Sequence, residues 1–323
     1  MTSLREIKEK GYLPPKTFRR MLLAGVLAFA NVLIHNVSDI KKLSQTPDTA
    51  LHYQRPKRRY NLPAYNKNMK YCTSNKKYLR PTLFCNSHAP EIIALAHQLG
   101  AYQKTDKEFA EAAFEFAKRK LTLEMVPLDD VSKTLHRGTG TCIHEISVFV
   151  ALCRAAGIKA RYKLYSLTMI DAWSDTIVAD PMVQKWSDAM GYFMIHGEGE
   201  AFIDGNWVVC DVGPTPERQA ASHIPITRFG EDSIGIWFSA VPGTIMKVES
   251  IPYGLGLMMK LAKKIAPSTI DKVNTNVLDQ INAGKKILEE QGEEHYDKET
   301  RKAFKPKFPE PILHSRKEII FEQ

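Results

Sequence analysis

Cys142 follows Gly138-Thr139-Gly140-Thr141 and opens a run with apolar residues at Ile146, Phe149, Val150 and Cys153 that ends at Gly157. This spacing, with its lead-in and closing glycine, predicts a helix that begins at the thiol. A helix amino terminus supplies partial positive charge and unpaired backbone N–H groups, which favour a thiolate. The same N–H groups can stabilise the oxyanion formed when a thiolate attacks an amide or ester carbonyl. Cysteine alone is often only a small buried hydrophobe, and Cys153 on the apolar face and Cys210 in mid-strand read that way. Cys142 is the candidate nucleophile.

A nucleophilic thiol needs a base, and the base needs an orienting group. Asp204-Gly205 is a two-residue hairpin signal. It pairs Phe202 with Trp207, Glu200 with Val209 and Glu198 with Asp211, and leaves His196 as the diagonal neighbour of Asp211 on one sheet face. A carboxylate holding one ring nitrogen frees the other to take a thiol proton. Taken singly, His196 reads equally well as a satisfied surface histidine; its fixed relation to Asp211 and Cys142 makes it the candidate base. A metal reading through Cys142, His144 and His136 is weak, because adjacent helix positions diverge.

The elements that must position these residues can be read on either side. Ile92, Ile93, Leu95 and Ala96, then Phe109, Ala113, Phe116 and Ala117, predict two helices between Pro90 and Leu121. Strands are expected from Arg161, over Gly191 to His196, Ala201 to Ile203 and Trp207 to Val212. Beyond Pro225, Ser268 resembles a helix cap, and Ile270, Val273, Val277 and Ile281 form a stripe behind it. The last thirty residues or so are charged, contain Pro306, Pro309 and Pro311, and read as an extended tail.

The chain has 323 residues, enough for one large or two smaller domains, and a formal charge of +9. No acidic residue lies between Asp48 and Glu91, and nine cations from Arg55 to Arg80 match the whole net charge. Five tyrosines interleave with them, a composition that suits phosphate contact and stacking. No nucleic-acid fold signature accompanies it, so the strip reads as a solvated linker, with contact to an anionic surface through residues 55–80 left open and no nucleic-acid partner expected. Five cysteines without a C-x-x-C pair argue against structural zinc or a dense disulfide framework; Cys72 and Cys85, near His88, read as ordinary thiols. Arg19 and Arg20 precede an apolar run ending Ala28-Phe29-Ala30, in the order of a signal peptide. A signal, an interfacial helix and a buried helix all stay open there, with membrane association or export favoured over a cytoplasmic location.

Gly140-Thr141-Cys142 followed by Phe149 to Arg161 closely resembles the cysteine motif of the transglutaminase-like superfamily. His196, Glu200, Trp207 and Asp211 resemble its histidine and aspartate motif, and the resemblance covers roughly residues 88–216. It implies an α+β, papain-like transglutaminase core: helices packed on an antiparallel sheet, with a Cys142-His196-Asp211 triad acting through a thioester. The implied organisation is an N-terminal apolar helix and basic linker over 1–84, a catalytic domain over 85–225 and a C-terminal extension over 226–323. The expected activity is hydrolysis of a peptide or other amide bond, with a peptide or protein as substrate and no cofactor or metal. Protein-glutamine transglutamination and a non-catalytic interaction role are the alternatives. Glu198 stands where the family often has an aromatic, and the usual tyrosine is missing near Leu121 to Met125. With Gly197, Glu198, Gly199 and Glu200 after the histidine, the expected cleft is open and wet. Arg154 and Arg161 match family positions and read as structural ion-pair formers.

Overall fold

The computed structural model describes residues 10–12, 15–45, 53–169, 195–241, 243–265 and 267–307, with Pro181, Lys185, Asp188 and Ala189. In chain order the elements are α1 (Pro15–His35), α2 (Val37–Gln45), α3 (Pro90–Gln98), α4 (Asp106–Lys120), β1 (Thr122–Leu123), α5 (Val131–Arg137), β2 (Thr139–Gly140) and α6 (Cys142–Ala155). There follow β3 (Ala160–Met169), β4 (Ile195–Ile203), β5 (Asn206–Cys210), α7 (Pro216–Ala221), β6 (Phe238–Ala240), β7 (Met246–Val248), α8 (Tyr253–Ile265), α9 (Pro267–Gln291) and α10 (Glu293–Ala303).

Helix α6 is the hub. Apart from Cys142, each of its residues is buried, including the polar His144, Glu145, Ser147 and Arg154. It packs on β3 and β4 with α3, α4 and α5 around it. The sheet runs β5-β4-β3-β6, with β7 also on β3, and its pairings are antiparallel. Helix and sheet approach closely because β4 has glycines where they meet. A Cβ at Gly199 would lie 2.5 Å from Phe149 Cδ1, and one at Gly197 2.6 Å from Leu164 Cδ2 and 3.2 Å from Ile143 Cδ1.

The hairpin register follows the Asp204-Gly205 turn, with Phe202 opposite Trp207 and Glu200 opposite Val209. The β4 strand is continuous from Ile195 to Ile203, where the sequence reads as two pieces; residues 191–194 of the expected first piece lie outside the described residues. Helix α9 begins at Pro267, one residue before the expected cap at Ser268.

Three expectations change. The basic strip is a strap fixed to the domain rather than a solvated linker. Arg55 holds the buried Glu124 through three hydrogen bonds of 2.8–3.1 Å. Arg80 holds Glu249 at 2.8 Å, Tyr60 donates to Leu135 O at 2.7 Å, and Arg59 pairs with Glu217. Arg154, fully buried, donates to the carbonyls of Arg80, Ala160 and Glu249, so it is structural through backbone acceptors rather than an ion pair. Arg161 does pair, with Glu200. Part of the expected extended tail is helix α10, anchored by buried Tyr296 and by Asp297, which accepts from Ile226 N at 2.7 Å and from Arg301 at 2.9 Å. Pro309 and Pro311 lie outside the described residues.

Candidate active site

Cys142 is the first residue of α6, with Thr141 in extended conformation at the cap. The turn before it is locked by His144. Thr141 N–H donates to His144 Nδ1 at 3.0 Å, and on the other side of the ring Nε2 accepts from Asp129 N–H at 3.2 Å and lies 3.2 Å from Asp129 Oδ1. Burial lowers the His144 pKa against the pull of Asp129. His144 is therefore a brace for the helix terminus. His136 is exposed and bonded to Glu91, and the structure does not bring it together with Cys142 and His144. Among the described residues, no group of three or more His, Cys, Asp and Glu side chains has the arrangement to hold a metal.

His196 enters from the start of β4 and Asp211 from the end of β5. His196 Nε2 sits 3.3 Å from Asp211 Oδ1, close enough for an ion pair although off the hydrogen-bond direction. Cys142 is the ring's other electrostatic partner. Burial works against the imidazolium, but Asp211 and then Cys142 outweigh it, and the His196 pKa rises to about 10. The ring thus holds a proton at neutral pH. Asp211 is fully buried; burial opposes its charge, and His196 followed by Lys118 and Ser233 holds its pKa below the ordinary value. Its Oδ1 accepts from Gly213 N–H at 3.0 Å and its Oδ2 from Ser233 Oγ.

Gly213 is where the three side chains meet. A Cβ there would lie 3.1 Å from His196 Cε1, 3.3 Å from Cys142 Cβ and 3.4 Å from Asp211 Oδ1. Contacts at 3.1 Å are tighter than most packed carbons show, so a side chain at 213 would press on the His196 ring and the Cys142 side chain.

Several contributors carry no signal in the local sequence. Lys118 on α4 is buried and donates to Pro214 O at 2.6 Å; burial brings its pKa down to about 8, with Asp211 pulling the other way. Arg218 on α7 is buried and donates to Gln280 Oε1 at 3.3 Å. Glu145, one turn after Cys142, is buried with neither carboxyl oxygen hydrogen-bonded. Burial and then Cys142 push its pKa well up, against Arg218.

The expected wet cleft does not follow from β4. His196 to Glu200 are all buried, and the glycines serve packing. Glu198 accepts from Tyr165 Oη at 2.7 Å and lies 2.9 Å from Lys163 Nζ; burial, then Asp211, raises its pKa to about 7. Phe238 covers the His196 ring with centroids 4.3 Å apart, and Tyr165 meets it edge-on at 5.6 Å. A cavity of about 540 Å³ lined by Phe84, Leu128, Asp129 and Lys133 includes none of Cys142, His196 and Asp211.

Residues 93–212 match the family model described as the transglutaminase-like superfamily. No curated protein matches the chain. A solved structure described as a "Putative Cysteine Protease" from Cytophaga hutchinsonii is similar at 20% identity and a TM-score of 0.31, over 42% of this chain and 40% of that one. The alignment thus spans less than half of the neighbour's length. The helices and antiparallel sheet agree with that match: residues 93–212 are similar to the transglutaminase-like superfamily, and their α+β architecture is consistent with a papain-like fold.

Proposed function

We propose that the chain is a thiol-dependent acyl-transfer enzyme that hydrolyses peptide or other amide bonds, with Cys142 as nucleophile, His196 as proton carrier and Asp211 as its orienter. The domain's superfamily typically consists of cysteine-dependent enzymes. The observation that carries the reading is the convergence at Gly213, where one added carbon would touch all three side chains.

In the proposed reaction the Cys142 sulfur attacks the carbonyl carbon, and the first N–H groups of α6 receive the developing oxyanion. His196 then gives its proton to the leaving amine as the C–N bond breaks, leaving a thioester on Cys142. A water, deprotonated by His196, attacks that thioester and releases the acid and the thiol. Cys142 is only partly buried, so an acyl group on it stays within reach of water.

The runner-up, transfer to an amine, is favoured by one observation. Phe238 and Tyr165 give His196 an aromatic setting, and a drier site disfavours water as acceptor. Incubation with glutamine-containing peptides and an excess of labelled primary amine separates the two readings. Cys142-dependent release of ammonia with little amine incorporation is expected. Incorporation outrunning hydrolysis would establish the transferase, and neither product, with an inert Cys142, the non-catalytic role.

A further inference from the structure

Helix α1, with Asn36 and the first residue of α2 that continue it, has two opposed faces. Gly25, Val32 and Asn36 are buried, and at about 100° per residue they fall in one narrow sector. Leu23, Val26, Leu27, Ile34 and Val37 fall in the opposite sector, about 100° wide and about 21 Å long. They are 53%, 56%, 47%, 72% and 52% exposed. Only Tyr65 and Tyr102 join them as exposed large hydrophobics among the described residues, so the exposure is one stripe and not scatter.

Lys16 and Arg19 continue the same sector toward the amino terminus. Both are exposed, and α1 contains no carboxylate. We propose that this face of α1 docks in the plane of an anionic lipid bilayer, with the stripe among the acyl chains and Lys16 and Arg19 at the headgroups. A helix with one apolar face and cations at its edge binds in this way, and juxtaposed Lys and Arg are drawn to anionic lipid. Between Arg19 and Val37 the sector offers no polar side chain to fix the register of a protein partner, whereas a bilayer requires only apolar area and positive charge. Spanning is not the mode: no helix among the described residues is long and apolar enough to cross a membrane, and the inner face of α1 packs against the protein, including α8. The inference is independent of the chemistry proposed for Cys142.

Flotation of the full chain with lipid vesicles tests it. At low salt the protein should float with vesicles containing about a third phosphatidylglycerol and much less with phosphatidylcholine alone. The triple variant L23Q/V26Q/I34Q, altered only at exposed positions, should lose at least about tenfold in vesicle affinity, and K16E/R19E should lose the preference for anionic lipid. As a second readout that needs no disruptive change, Leu27→Trp should show a blue shift in emission on adding anionic vesicles. Absence of flotation and of the blue shift would overturn the proposal, as would unchanged binding by the triple variant. So would a wild-type dimer, seen by sedimentation, that the triple variant dissolves, since the stripe would then belong to a second copy.

Discussion

At the scale of single residues, Glu145 is the clearest departure from ordinary solvation. A buried carboxyl with no hydrogen-bond partner carries a desolvation cost, and this one lies beside Cys142 as well. In the unfolded chain it ionises near its ordinary 4.5, in the folded protein only well above that. The folded state therefore binds more protons across this window, so the group's contribution to stability declines as pH rises from about 4.5 toward the raised value. Glu145→Gln keeps the shape and removes the ionisation. The variant should be more stable than wild type by about 1–3 kcal/mol at neutral pH, with the gain shrinking toward pH 4.5. Urea denaturation at several pH values checks this, and a variant less stable at neutral pH would mean that Glu145 is ionised and held by Arg218.

At the scale of elements, the site is assembled from one local relation and several distant ones, and legibility divides the same way. A two-residue turn fixes strand register, so the approach of His196 to Asp211 could be derived from Asp204-Gly205. The start of α6 could be read from Gly138 to Thr141 followed by an apolar run. Lys118, Ser233 and Arg218 could not, because each reaches the site through the docking of an element whose partner no local pattern names. Helix α10 was illegible for another reason: its buried residues are only Tyr296 and Asp297, too few to make an apolar stripe. The glycines of β4 suggest openness in the sequence, but their partners Phe149 and Leu164 come from α6 and β3. Lys118 gives the test at this scale. As a positioning residue it ties α4 to the Asp211 loop through Pro214 O, and Lys118→Met should lower kcat/KM by about 10- to 100-fold. The wild-type pH profile should bend near pH 8, where Lys118 loses its proton, and the variant should lack that bend. Unchanged kcat/KM with the bend retained would contradict the role.

At the scale of the whole molecule, the strap of residues 53–89 and the helix-and-sheet core are joined by buried charge. Arg154 draws the carbonyls of Arg80, Ala160 and Glu249 to one guanidinium. Arg154→Met leaves those acceptors buried and unpaired, and should cost on the order of 3–5 kcal/mol in denaturant unfolding; a loss below about 1 kcal/mol would show the strap to be loosely held. The fold also sorts the thiols. Cys85, Cys153 and Cys210 are fully buried, and burial raises the pKa of each. Cys72 and Cys142 are the two partly exposed thiols, and only Cys142 has the charged imidazole of His196 beside it. The most direct measurement is iodoacetamide alkylation of the folded protein at about pH 6, where an ordinary thiol is almost wholly protonated, followed by peptide mapping. Cys142 should be modified at least about tenfold faster than Cys72, with His196→Ala abolishing the difference; preferential labelling of Cys72 with Cys142 inert, or a Cys142 rate indifferent to His196, would contradict the assignment of Cys142 as the nucleophile.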